Sequence, residues 1–464
     1  MKIKKNQTIE VEVEKIAFGG KGLAKLNGFT LFIDKAVPGD LAVVRITKKK
    51  KSYAEARVEQ LIRPSALRID APCPYSGYCG GCKWQFLDYS NQIIFKKQHV
   101  EESLQHIGHI RDVVVHDTLP SQKVFEYRNK MEFTCAERRW LLPEEMEQND
   151  PKQAGIAIGL HVPGTFYKVL DTEACLLQPH LGNYILDDVR RYIKASNVPV
   201  YGLRSHAGFW RFVTLRHSAA HDNWMVNIVT ADEDSDVMQP LADMLLEKHP
   251  QIVSVVNNIT DSKAGVAVGQ KEVLLGGSPF LKDRIGVFEF KISANSFFQT
   301  NTAGAERLYE TVKNYAALEG HETVLDLYCG TGTIAIYLSG SAQEIVGVEQ
   351  VESAVKDAEY NCRSNGVENC RFVQGDMREC LQNIDINAEV MVADPPRAGM
   401  HKDVVRTILR MAPEKIIYVS CNPAALARDV AMMSAQYRLV EVQPVDLFPH
   451  TYHIESVALL IKRT

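Results

Sequence analysis

A chain of 464 residues, 45% hydrophobic and 24% charged, has the composition of globular protein and the length for about three domains. The opening MKIKKNQTIE has no apolar core of the signal-peptide kind, and no later apolar run approaches the roughly 18 to 20 residues that span a bilayer, so neither secretion nor a helical membrane anchor is expected and the cytoplasm is. Ten cysteines over this length do not make a disulfide framework, and clustered thiols in a reducing compartment ligate metal or do chemistry.

The net charge of -4 hides an asymmetry, because residues 1–60 carry 13 Lys and Arg against 7 Asp and Glu, a local +6, and the remainder is left at -10. Within the basic segment, Lys48 to Lys51 form an unbroken run, which suits either RNA phosphates or a solvated hairpin tip. The same sixty residues alternate in period two, as in Ile9-Glu10-Val11-Glu12-Val13-Glu14, with Gly-Gly, Asn-Gly and Pro-Gly-Asp between apolar runs. This pattern predicts a small β-barrel, and with Ala17-Phe18-Gly19-Gly20-Lys21-Gly22 and Val37-Pro38-Gly39-Asp40 it resembles the TRAM domain, an RNA-binding barrel of the OB type.

A change of composition after Arg63-Pro64-Ser65 predicts a boundary near residue 62. Cys73, Cys79 and Cys82 follow at metal-ligand spacing, and Cys175 is a fourth donor from a distance; zinc and iron–sulfur both accept four thiolates. Residues 88–107 predict an amphipathic helix capped by Asp88 or Ser90. Beyond it the middle segment reads as mostly strand, for example Phe212 to Arg216 and Trp224 to Val229, with an acidic loop over Glu144 to Lys152. Cys135, Cys329, Cys362, Cys370 and Cys380 read as packing thiols.

From about residue 304 helices and apolar strands alternate, the strands ending in polar residues: Thr323 to Asp326, Ile345 to Glu349, Val390 to Asp394 and Ile416 to Ser420. A parallel α/β sheet is predicted, with ligands beyond the carboxyl ends of its strands. Asp326-Leu-Tyr-Cys-Gly330-Thr-Gly332 lets backbone approach a ligand, but it has neither the Lys of a phosphate loop nor the third glycine of a dinucleotide fingerprint. An acidic start suits a cationic cofactor, Glu349 can take ribose hydroxyls, and Asp376 can meet an adenine. Together these resemble the S-adenosylmethionine site of class I methyltransferases.

The chemistry is read from three further motifs. Amino-group methylases present an Asn-Pro-Pro-aromatic turn where this chain has Asp394-Pro395-Pro396-Arg397. An exocyclic amine needs only its lone pair presented, whereas C5 of uracil is inert until a nucleophile adds at C6. Cys421, in Ser420-Cys421-Asn422-Pro423 at a strand end, is that nucleophile, and its site is expected to lower the thiol pKa or deprotonate it on attack. His453 and Glu455 share one face of a late strand by period two, so either can take the C5 proton.

With Phe297-Phe298-Gln299-Thr300-Asn301, these motifs resemble the RNA uracil-5-methyltransferase family over nearly the whole chain. The resemblance implies a multidomain α/β protein: an N-terminal TRAM barrel over 1–62, a central β-rich iron–sulfur domain over 63–285, and a C-terminal class I, Rossmann-like methyltransferase domain over 286–464, with the helix near 88–107 packing on the last. It implies Cys421 as nucleophile, Glu455 as base, cofactor contacts at Gln299, Tyr328, Gly330, Glu349, Asp376 and Asp394, and a [4Fe–4S] cluster on Cys73, Cys79, Cys82 and Cys175. The partner is RNA, with ribosomal RNA favoured over transfer RNA and no obligate protein partner. Two rivals are a cysteine-dependent cytosine-5 methylase, against which Asp-Pro-Pro-Arg stands in place of a Pro-Cys motif, and a non-catalytic RNA-binding protein, against which Cys421 and Glu455 stand.

Overall fold

The computed structural model describes residues 3–147 and 155–464. Strands Thr8–Glu12, Lys15–Ile16, Gly22–Leu26, Phe29–Asp34, Leu41–Lys49 and Tyr53–Arg63 make one six-stranded sheet. Their alternation sends Ile9, Val11, Leu31, Ile33, Val44 and Ile46 inward to a shared core. The Lys48 to Lys51 run is the exposed tip of the hairpin between the last two strands. Buried Asp40 closes this unit, accepting from the Val37 and Ser65 amides and from Arg68.

A helix over Tyr89–His106 is capped by Asp88, which accepts from the Ser90 amide. Its buried stripe has helical spacing but polar chemistry, with Gln92, Lys96, His99 and Ser103 beside Phe95, Val100 and Leu104. Ser103 bonds locally to the His99 carbonyl, while Gln92, Lys96 and His99 find partners far along the chain. Lys96 Nζ lies 2.6 Å from Asp446 Oδ1 with both side chains fully buried, Tyr89 donates to Asp446 Oδ2 at 2.9 Å, and Gln92 accepts from the His450 amide at 2.8 Å.

The middle segment is a six-stranded mixed sheet, strands Lys130–Ala136, Ala157–Gly159, Trp210–His217, Trp224–Thr230, Ile252–Ile259 and Lys271–Gly277. It is less purely strand than its sequence predicts, because helices His180–Ala195 and Ser235–Lys248 pack on it. The second of these is the crossover that a parallel pairing of Trp224–Thr230 with Ile252–Ile259 requires. Of the acidic loop expected over 144–152, residues Pro143–Glu147 form a short helix and 148–152 lie outside the described residues.

The last sheet has eight strands in the order Cys370–Gln374, Glu344–Glu349, Thr323–Leu327, Val390–Ala393, Lys415–Ser420, Glu455–Lys462, Tyr437–Val445, Val114–Val115. The first five are parallel as predicted, while Glu455–Lys462 runs antiparallel between Lys415–Ser420 and Tyr437–Val445. The expected strand at His453 begins only at Glu455. Val114–Val115 joins this sheet from within the segment read as central, and Tyr89–His106 packs on the helix Pro423–Met433, so residues 89–119 interrupt the linear division of the chain. No helix among the described residues is long and apolar enough to cross a membrane.

Candidate active site

Strand register brings the two residues read as catalytic side by side. Ser420 pairs with Ser456 across antiparallel strands, so Cys421 and Glu455 adjoin that pair at the same end of the two strands, and the Glu455 charge reaches the Cys421 thiol. Asn422 fixes the turn: it caps helix Pro423–Met433 by accepting from the Ala424 amide, its Nδ2 donates to the Arg397 carbonyl at 2.9 Å, and Pro423 sets the first helical residue. Asp394 ends the neighbouring strand, so its carboxyl faces the same edge.

This edge is crowded with acid. Burial pushes Asp394 up to about 6, and burial with Asp394 nearby holds Glu455 well above the ordinary carboxyl range. Burial, then Glu455 and Asp394, raise the Cys421 thiol to about 11, with Arg397 acting the other way. The surroundings of Cys421 thus raise the thiol pKa, opposite to the expected lowering. His453 is driven down to about 4 by burial and by Arg397, Lys96 and Arg128, so it is a neutral, weakly basic imidazole.

The cofactor residues form a second group on the same edge. Tyr328 has φ +62° and Gly330 φ +55°, and nothing lies where a Gly330 side chain would point. Glu349 accepts from the Gly330 amide at 3.1 Å and the Val351 amide at 2.8 Å, which ties the glycine turn to the next strand. Asp376 caps helix Met377–Asn383 and its carboxylate is clamped by Arg378, at 2.9 and 3.0 Å; it touches the group only as a charge felt by Tyr328. Gln299 lies on the loop before helix Thr302–Ala316, held by its carbonyl, which accepts from Asn129 Nδ2 at 2.8 Å.

Asp326 fits a cationic guest on independent grounds. Its carboxyl is buried with neither oxygen in a full hydrogen bond, and burial, Asp394 and Glu349 raise its pKa well above the carboxyl range against a weaker pull from the Ala335 amide. A buried carboxyl left short of a full partner is costly unless a ligand supplies one. Sequence reading missed Tyr309, whose hydroxyl lies 3.0 Å from Thr333 Oγ1 in the field of Asp394, Asp326 and Glu455. In sequence it is one apolar position of an amphipathic helix, which carries no signal of a site.

These raised carboxyls make a prediction for stability. A group whose pKa is higher folded than unfolded stabilises the fold fully below its unfolded value, and that stability is lost as pH rises through the folded value. For Asp394 the loss falls between about pH 4 and about 6. Asp394→Asn is expected to raise the melting temperature of the cofactor-free protein at pH 7.5 by several degrees and flatten its pH dependence, while abolishing methyl transfer. An unchanged melting profile refutes this charge assignment.

Cys73, Cys79, Cys82 and Cys175 line one cavity, together with Tyr75 and Arg128. All ten cysteines are free thiols. The Gly81 amide donates to Cys79 Sγ at 3.3 Å and Gln85 Nε2 to Cys82 Sγ at 3.2 Å. Among the described residues no three His, Cys, Asp or Glu side chains converge as on a single metal ion. The loop abuts the active-site region, since the Lys83 and Trp84 amides both donate to the His450 carbonyl.

Comparison with known proteins agrees with this architecture. The profile of the tRNA (Uracil-5-)-methyltransferase family matches residues 280–463 and that of the TRAM domain residues 2–58. An RNA methyltransferase of Chlorobaculum tepidum is 42% identical over 430 residues, 91% of this chain and 89% of that protein, and one of Porphyromonas gingivalis is 38% identical over 98% and 100%. The crystal structure of Pyrococcus abyssi tRNA (uracil-54, C5)-methyltransferase with S-adenosyl-L-homocysteine superposes with a TM-score of 0.75 at 28% identity, covering 97% of this chain and 99% of that one. The chain belongs to the RNA uracil-5-methyltransferase family, as a TRAM-bearing enzyme that draws its methyl group from S-adenosylmethionine.

Proposed function

We propose that the enzyme methylates C5 of a uridine in structured RNA through a covalent bond between Cys421 and C6 of the target base, working in the cytoplasm. The reading is supported by the register that brings Cys421 and Glu455 to the same strand ends, with Asp394 at the end of the next strand. S-adenosylmethionine supplies an electrophilic methyl group when bound, and its positive charge favours the ionised forms of the acids around it. Gln299, Tyr328, Gly330, Glu349, Asp376 and Asp394 hold it, with Asp326 as a partner for its cationic end. Cys421 passes its proton to the Asp394 carboxylate, ionised above about pH 6, as its sulfur bonds to C6 and the C5=C6 electron pair moves toward C5 and O4. C5 then takes the methyl group, Glu455 removes the C5 proton, and the C6–S bond breaks to return Cys421.

Ribosomal RNA is the proposed substrate class, on the combination of barrel and four cysteines. Transfer RNA is the second reading, favoured by the substrate of the Pyrococcus relative. RNA carrying 5-fluorouridine tests the chemistry, because fluorine cannot leave as a proton does. A denaturation-stable adduct is expected with the parent and none with Cys421→Ala; adduct in both sinks the proposal. Mapping 5-methyluridine in both RNA classes from cells lacking the protein decides between them.

We also propose a [4Fe–4S] cluster on Cys73, Cys79, Cys82 and Cys175. Four thiols around one cavity suit a centre larger than a single ion, and N–H donors to Cys79 and Cys82 suit thiolate ligands. Its role is structural, placing the loop that meets His450. Anaerobic purification is expected to give brown protein with about four iron per chain, and Cys82→Ser to lose both colour and iron. Colourless protein loaded with zinc refutes this assignment.

A further inference from the structure

We propose that an exposed patch of cations and aromatic rings on the central unit, built from Trp140, Phe166, Tyr167, Lys168 and Arg204, is a stacking platform for single-stranded RNA flanking the target uridine. The proposal rests on RNA being the substrate and adds where its unpaired bases are gripped. Lys168 Nζ sits 3.8 Å from the centre of the Trp140 ring, and the Arg204 guanidinium lies 4.1 Å from that of Tyr167. Phe166 meets Tyr167 edge-on at 5.3 Å, and 65% of Phe166 and 39% of Tyr167 stay exposed. An open Phe166 ring beside a partly exposed Tyr167 and two cations offers what bases and phosphates together require. The beyond-barrel part of the chain is otherwise acidic, at -10, so cations gathered around rings are not its average surface.

The rings are held in place by backbone. The Val162 amide donates to the Lys168 carbonyl at 2.9 Å, the Leu170 amide to the Leu160 carbonyl at 2.9 Å, and the Trp140 amide to the Val169 carbonyl at 2.7 Å. The patch also leads toward the active site. At the other end of this loop His161 accepts from the Gly80 amide of the cysteine loop, that loop donates to His450, and Tyr452 nearby reaches Arg397 at 3.5 Å, beside Cys421. These contacts place the cysteine loop between the patch-bearing loop and the segment that leads to Glu455, the side from which flanking RNA is proposed to reach the patch. Bases must be unpaired to offer their faces there, so the platform takes single strand and not duplex.

Fluorescence anisotropy with the full-length, metal-replete protein tests this, using labelled U12 and a duplex RNA of equal length. Phe166→Leu with Tyr167→Leu keeps apolar area but removes the ring faces, and is expected to weaken U12 binding about tenfold while leaving the duplex unchanged. Arg204→Ala is expected to reduce the slope of log affinity against log salt by about 0.7. The ring-retaining Phe166→Tyr with Tyr167→Phe is expected to bind U12 like the parent. Adduct yield on saturating 5-fluorouridine RNA should match the parent in all three variants, so that a failure of the chemistry reads separately. U12 affinity within twofold of the parent in the leucine variant, equal loss for U12 and duplex, or failure of the ring-retaining variant to bind, overturns the proposal.

Discussion

Glu455→Gln is expected to stall on ordinary uridine RNA as a covalent protein–RNA adduct that already carries the new methyl group. Glutamine keeps the size and the strand register of Glu455 but accepts no proton, so the C5 hydrogen stays and the C6–S bond cannot be expelled. Turnover should fall by about 10²- to 10⁴-fold, the usual worth of a positioned base, while adduct rises from trace to a large fraction of the enzyme. The alternative base is already disfavoured by its surroundings: half-buried His453, near three cations, is driven down to about 4. Denaturing gels and intact mass of the adduct check this. Parental turnover in Glu455→Gln, or the same stalled adduct in His453→Asn, removes Glu455 from its role.

Lys96→Met should produce the largest loss of stability of any single substitution considered. Asp446 is then left as an unpaired buried charge at the junction of helix Tyr89–His106 and the segment leading to Glu455. Breaking such a pair from one side costs about 3 to 5 kcal/mol. Its charge is not the only link: Lys96 also donates to the Phe448 carbonyl at 3.0 Å, and Asp446 Oδ1 accepts from the Phe448 amide at 2.9 Å. Asp446→Asn added to Lys96→Met should recover part of the loss, because a neutral amide is cheaper to bury alone. Urea denaturation measures both; a single-variant loss below about 1 kcal/mol contradicts the burial argument.

What was legible in the sequence and what was not divide along a physical line. Local patterns carried well: alternation at Ile9 to Val13 gave the barrel strands, the helix cap was narrowed to Asp88 or Ser90 and is Asp88, and strand ends gave Asp326, Glu349, Asp394 and Ser420. Each of those signals is written within a few residues. Helices His180–Ala195 and Ser235–Lys248 were missed because flanking strands dominated the middle segment. Long-range partners left no local trace. Nothing local in the predicted amphipathic helix marks Lys96 and His99 for burial, yet both are buried because Asp446 and the Ile16 carbonyl meet them from 350 and 83 positions away. The unsatisfied state of Asp326 and the placing of Tyr309 among three carboxyls are likewise properties of the assembled sheet.

The contacts from Tyr89, Gln92 and Lys96 to Asp446 and His450 bear on how the chain is made. Each joins residues about 350 positions apart, and translation at about 5 to 20 residues per second separates their emergence by roughly 20 to 70 seconds. Through that interval the helix carries a buried-type lysine with no carboxylate to meet it, exposed to chaperones and proteases. A chain released from a ribosome stalled before Asp446 therefore lacks both the carboxylate that Lys96 meets and Glu455, the proposed base.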